Sequence, residues 1–148
     1  MALCTLLNET DRTRIVDRLR RVRKDSAPAW GTLTAPRMLC HLGDQMRVAL
    51  GDAPTRPTHN LLTRLLLKNL VVNTGMAAPR GKVQTAPEML LSAPSSWDED
   101  LATCLALAER VARGEARAVH PAFGPLSSAE WGRLCYKHLD HHLTQFGA

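Results

Sequence analysis

The segment KHLDHHLTQFG (137–147) holds three of the chain's six histidines within five positions. Residues four apart on an α-helix share a face about one turn apart, so a helix here would project His138 and His142 together. Two imidazoles at that spacing can bring ring nitrogens onto one divalent ion. On a helical wheel with Trp131 at zero, Leu134, Cys135, Leu139 and Phe146 form a broad apolar sector. Arg133, Lys137, Asp140 and Thr144 fall opposite it. His138 and His142 fall in the middle of the apolar sector, and His141 falls on its flank, beside Leu134 and Gln145. Two inward imidazoles both need polar partners away from water. Spacing alone therefore leaves two readings, a hydrogen-bonded core cluster or a pair of metal ligands.

A third ligand has to come from elsewhere in the chain. His41, in RMLCHLGDQMRVAL (37–50), is the best candidate. Met38, Leu42, Met46 and Ala49 define the apolar stripe of that helix, and His41 sits at the stripe's edge, next to Gln45 and Val48. An edge position suits a site near the mouth of a helical bundle. His59 reads as a cap or surface residue, and His120 as the start of a turn. Cys40 and Cys135 lie close in sequence to these histidines, but packing is the simpler role for each. No Ser-His-Asp arrangement and no Gly-rich phosphate loop is evident.

The elements that must position these side chains are helices. A first helix is expected from about Glu9 to Lys24, ended by Pro28 and Gly31. A second runs from Ala35 to Leu50, with Thr34 as N-cap and Pro36 in its first turn. A short helix covers Asn60 to Val72, and 73–96 reads as mostly loop, either a lid or a connection. The third main helix runs from Trp97 to Arg113, with Ser96 and Glu99 at capping-box spacing and Leu101, Leu105, Ala108 and Ala112 as its inward stripe. The segment 114–126 is a connector. The fourth main helix opens with a second capping box, Ser127 and Glu130, and runs to Phe146. No segment alternates like a strand. Four amphipathic helices with one long crossover between the second and third predict an all-α four-helix bundle.

The 148 residues are one domain, 1–148, long enough to bury a core without staples;. Few aromatics leave that core to Leu, Ala, Val and Met. The four cysteines are scattered without a C-x-x-C pair, and MALCTLLNETDRTR turns polar too soon for a signal peptide, so reduced thiols and a cytoplasmic location are expected;. No apolar run reaches the ~18 residues of a membrane span, and no membrane partner is expected. The formal charge is +5, much of it in DRTRIVDRLRRVRK (11–24). Ile15, Leu19 and Val22 recur there at helical spacing, so the cations form the solvated face of an amphipathic helix. With no aromatics interleaved for base stacking, nucleic acid is not an expected partner.

Trp30 and His41, spaced W-x(10)-H, followed by H-x-x-H-H-x-x-Q at His138, His141, His142 and Gln145, resemble the DinB-like (YfiT-like) superfamily. MLCHLGDQMRVALG, RGKVQTAPEML and HPAFGPLSSAEWGRLCYKHLDHHLTQFG are more narrowly similar to a bacterial subgroup of that superfamily whose function is unknown. The resemblance covers nearly the whole chain. It implies a four-helix bundle with a long crossover and a divalent metal held by His41, His138 and His142. It also implies a reaction class among thiol-dependent transferases, isomerases using low-molecular-weight thiols, and metal hydrolases. Leu143-Thr144 stands where the usual pattern has Arg-Gly, a departure that bears on the thiol-transferase chemistry in particular.

Three neutral imidazoles leave an open coordination position, as in catalytic zinc sites. Such an ion acidifies a bound water or thiol. The donor set suits zinc or nickel first, with iron compatible. Asp44 and Gln45, one turn after His41, are candidates to orient a ligand or polarise a substrate, as His141 is from the other helix. The readings are a metal-dependent hydrolase or small-thiol transferase, with a small molecule or thiol as substrate, and a non-catalytic interaction or stress-response module. Bundles of this kind pair through helix faces, so a homodimer is plausible.

Overall fold

The computed structural model describes residues 2–58, 60–76 and 87–148. His59 and residues 77–86 of the expected crossover lie outside them. Five helices dominate, and their boundaries follow from local chemistry.

Helix α1 (Glu9–Arg21) starts where the Asn8 side chain accepts the Asp11 N–H at 3.0 Å. Ile15 and Leu19 are buried, as the spacing predicts. The helix stops three residues short of Lys24. Val22 turns extended, and the Ser26 hydroxyl accepts the Arg23 N–H at 3.0 Å, a local bond of the kind that competes with helix. Part of the basic face is spent on tertiary ion pairs, Arg12 with Glu109 at 3.3 Å and Arg18 with Asp140 at 2.5 Å.

Helix α2 (Ala35–Leu50) is capped by Thr34, whose hydroxyl accepts the Arg37 N–H, and is closed by Gly51 at φ 78°. It is far more enclosed than an amphipathic stripe predicts. Every residue from Met38 to Met46 is buried, including His41, Asp44 and Gln45. Its main neighbour is α4 (Trp97–Ala112), which approaches closely at Gly43, where an added Cβ would stand 3.6 Å from Leu107 Cδ1. That approach turns the buried face of α4 away from the expected stripe. Cys104, Leu107, Ala108 and Val111 are buried, while Leu101, Leu105 and Ala112 are half-buried flanks.

Between α2 and α4 a π-helical turn, Thr63–Leu67, leads into the short α3 (Lys68–Val72), and a 3-10 turn covers Pro87–Met89. The connector after α4 is not strand-free. Val119–His120 (β1) and Gly124–Pro125 (β2) pair antiparallel. The His120 ring makes this turn by accepting the N–H groups of Ala122 and Phe123 at 3.0 and 3.1 Å and stacking on Phe123.

Helix α5 (Ser128–Gln145) opens with the complete capping box of Ser127 and Glu130. It packs against α1, α2, α3 and α4, so residues off its apolar sector are buried too, Tyr136 and Leu143 among them. Even its polar side is engaged, because Lys137 donates to the carbonyls of Val71, Thr74 and Met76. No described helix is long and apolar enough to cross a membrane. The four cysteines are free, and Cys40, Cys104 and Cys135 are buried.

Candidate metal centre

α2 and α5 lie side by side so that His41 from the first meets His138 and His142 from the second. One ring nitrogen from each lies within 4.8 Å of the others, a group able to hold a metal ion. The ring centroids are 4.6 to 4.9 Å apart, and each pair of rings is nearly perpendicular. The i,i+4 reading of His138 and His142 is thus matched by the fold, and His41 joins them. His41 is not at an exposed edge: it is 5% accessible.

Hydrogen bonds fix which nitrogens are free. His41 Nδ1 is 2.8 Å from the Met89 carbonyl oxygen. A carbonyl only accepts, so Nδ1 carries the proton and Nε2 the lone pair. At His142 the assignment takes two steps. The Trp30 carbonyl, 2.8 Å from the Gln145 amide nitrogen, sets the orientation of that amide. Gln145 Oε1 then faces His142 Nδ1 at 2.8 Å, and an oxygen acceptor again requires the proton on Nδ1;. Both Nε2 atoms are therefore donors of electron pairs.

His138 completes the argument. Its Nε2 is 2.8 Å from His41 Nε2, while its Nδ1 is buried without a partner. If the proton sits on Nε2, an orphan lone pair is buried at Nδ1. If it sits on Nδ1, an orphan N–H is buried and two lone pairs face each other. Either state leaves a buried polar atom unsatisfied, which costs about 1–3 kcal/mol. A cation shared by the Nε2 atoms relieves the facing lone pairs, and the donor set fits a divalent ion of the zinc, nickel or iron type.

The surroundings favour neutral rings, the state that binds metal. Burial, and then the neighbouring rings of His41, His142 and His141, hold His138 well below the usual histidine range. Burial brings His142 down to about 4 against the opposing bond to Gln145. Burial also lowers His41, opposed by the Met89 carbonyl and by Asp44.

The other expected residues divide. His141 is half-buried, 5.0 Å from the His142 ring and edge-on to Trp30 at 6.0 Å, so it borders the group without joining it. Asp44 is not a solvated residue, and its hydrogen bonds do not go to the rings. It accepts from Ser92 N at 2.8 Å, from the Ser92 hydroxyl and from Arg47 at 2.9 Å. This pins the segment just beyond Met89, so Asp44 helps to place the carbonyl that orients His41. Gln45 is buried on α2, and none of the described hydrogen bonds to the three rings comes from it. His120 is occupied in its own turn. Burial pushes the Cys135 thiol up to about 12, which suits packing.

Two orienting groups escaped the reading by helical spacing. The Met89 carbonyl has no sequence signal. Gln145 had one, its i,i+3 spacing from His142, which puts it within reach of that ring. Replacing Gln145 by leucine is expected to lower affinity for zinc by about 10–100-fold, the usual cost of losing a partner that orients a ligand. Calorimetric titration measures it, and an unchanged affinity would remove Gln145 from the site.

Residues 5–148 match the family described as "Protein of unknown function (DUF1569)". Comparison with curated proteins and with solved structures gave no match.

Proposed function

We propose that this chain, which belongs to the DUF1569 family, is a divalent-metal protein of the DinB-like type that works as a metal-dependent hydrolase or small-thiol transferase. In this reading α1, α2, α4 and α5 are the helices of a four-helix bundle, and residues 51–96 are its crossover. The packing of α2 on α4, α1 on α5, and α5 on both α2 and α4 supports that arrangement. So does the convergence of His41, His138 and His142.

The observation that carries the proposal is the pair of committed Nδ1 protons. Met89 and Gln145 leave His41 Nε2 and His142 Nε2 unprotonated, facing the same space as His138. A divalent ion held there supplies Lewis-acid activation of a water or a thiol. The chain's own contribution is to hold three rings neutral, to orient two of them, and to border the site with His141 and Trp30.

The test is metal content by mass spectrometry on tag-free protein, before and after reconstitution with zinc, nickel, manganese and iron, beside His138→Ala and His142→Ala. Near-stoichiometric metal in the parent and its loss in both variants is the expected result. No metal after reconstitution would end the metal-site reading. Screening the loaded protein with small thiols and hydrolysable esters then separates an enzyme from a metal-binding module without turnover.

A further inference from the structure

Helices α2 and α4 run in the same direction. Arg37, in the first turn of α2, donates to the Ser92 carbonyl shortly before α4 begins. Asp52, just past the end of α2, pairs with Arg110 in the last turn of α4. Their register is set where Gly43 approaches Leu107. Three residues earlier on each helix, about one turn, stand Cys40 and Cys104. Both are buried, and both line one cavity of about 250 Å³ between the two helices. Neither Cys4 nor Cys135 lines it.

The rest of that cavity is polar. Arg47 is fixed beside it through Nη1, which donates to Asp44 at 2.9 Å and to the Ser92 hydroxyl at 3.0 Å. Asp100 stands on the α4 side. Ser95 and Thr103 at the rim are exposed, so an ion from solvent can reach both sulfurs with the helices in place. His41, one residue after Cys40, turns about 100° away and meets the rings of α5.

We infer that Cys40 and Cys104 form a thiolate site for a monovalent soft ion of the copper(I) type, separate from the three histidines. Thiolate is a donor that selects copper(I), and two sulfurs satisfy that ion, whereas a structural zinc takes four ligands. Uptake breaks two S–H bonds, forms two S–Cu bonds and releases two protons, so one positive ion replaces two and the complex carries one negative charge. The surroundings fit that exchange. Burial, with Asp100 and Asp44, raises the Cys40 thiol, and the Arg37 and Arg47 guanidinium groups oppose it. Burial raises Cys104 to about 12, opposed by Arg47. Both thiols are thus protonated until an ion arrives, and the two guanidinium groups are the charges that offset the anionic complex. Cys135, also raised to about 12 by burial, has neither the second thiol nor the cavity. The inference does not rest on the three-histidine reading.

Copper(I), supplied anaerobically to the tag-free full chain in competition with bathocuproine disulfonate, tests it. The parent is compared with Cys40→Ser, Cys104→Ala and the double variant His138→Ala/His142→Ala. The expected result is one equivalent of copper held by the parent and by the histidine variant, and lost from each cysteine variant. Timed labelling with N-ethylmaleimide, followed by peptide mass spectrometry, reads the same site in the unaltered parent and decides the matter where a cysteine variant fails to fold. Copper should slow labelling of Cys40 and Cys104 and leave the rate at Cys4 unchanged. No copper held by the parent, copper kept by folded cysteine variants, or slowing at Cys4 or Cys135 in place of the pair would overturn the inference. So would loss of copper in the histidine variant, which would assign the ion to the imidazoles. Zinc binding by the histidines is scored separately, so either site can fail alone.

Discussion

His138→Leu is expected to abolish stoichiometric metal binding while leaving the metal-free protein folded and within about 1–2 kcal/mol of the parent. In the proposed site two of the three ligands would remain, too few to hold a divalent ion stoichiometrically. The stability expectation follows from counting buried groups. Leucine removes the unpartnered Nδ1 of His138, which relieves about 1–3 kcal/mol. It also removes the partner of His41 Nε2, which restores a similar cost. Leucine is apolar, of comparable size, and suited to a position flanked by Leu134 and Leu139. The residual change is repacking, generally below about 1.5 kcal/mol for a volume-conserving swap. Zinc titration and urea unfolding of the variant check both halves. Full metal retention would mean that His138 is not a ligand. Collapse of the fold would mean that its ring is structural.

The second large effect concerns acid. Burial depresses all three rings, His142 to about 4 and His138 well below the usual range. In the unfolded chain each titrates near 6.5. As pH falls through 6.5, the unfolded state takes up protons that the folded state refuses, so the folded state is penalised. The histidine contribution is fully present above about 6.5 and is lost as pH falls toward the folded values. A ring that stays neutral in the folded state while the unfolded chain protonates gives a slope of about 1.4 kcal/mol per pH unit, so His138 and His142 together give about 3, and His41 adds in the same direction;. Against a typical total of about 5–15 kcal/mol, the metal-free protein is expected to unfold before pH reaches about 4.

Glu130 adds to this only lower on the scale. Burial works to raise its carboxyl, but bonds from the Ser127 N–H, Lys68 and Asn73 hold it at about 2, so its stabilising share is lost only below about 4.5. Urea unfolding at pH 7, 6 and 5 isolates the histidines. A flat profile would show that the rings are not buried neutral, and in His138→Leu the slope should become shallower.

Helix starts were the most legible part of the fold, because capping is local. Thr34 and the pair Ser127 and Glu130 sit where spacing puts them and make the expected bonds, and Ser96 accepts the Glu99 N–H, which is one half of the capping box expected there. The 138/142 pair was legible for the same reason, since both residues ride one helix. What periodicity could not show was how many sides of a helix are covered. α2 is covered nearly all round, so Asp44, which reads as solvated when only apolar residues mark the inside, is buried and bound to Ser92 and Arg47. The turn at His120 was missed because the ring-to-backbone bonds that make it have no periodic signature. Segment 61–72 was legible as helix but not as surface, because a leucine run looks the same whether it faces its own core or lies exposed.

The hydrogen bond from His41 to Met89 has a consequence for how the site is inherited. Its acceptor is a main-chain oxygen, which twenty different residues at position 89 would all bring. A scan of single substitutions would register there only the packing of the buried Met89 side chain, not the carbonyl that His41 touches. What must be transmitted is the path of the chain through Pro87–Met89 and its anchor at Asp44. The genetic change that breaks this part of the site is therefore one of length, an insertion or deletion in the crossover that shifts the carbonyl out of reach while all three histidines remain in place.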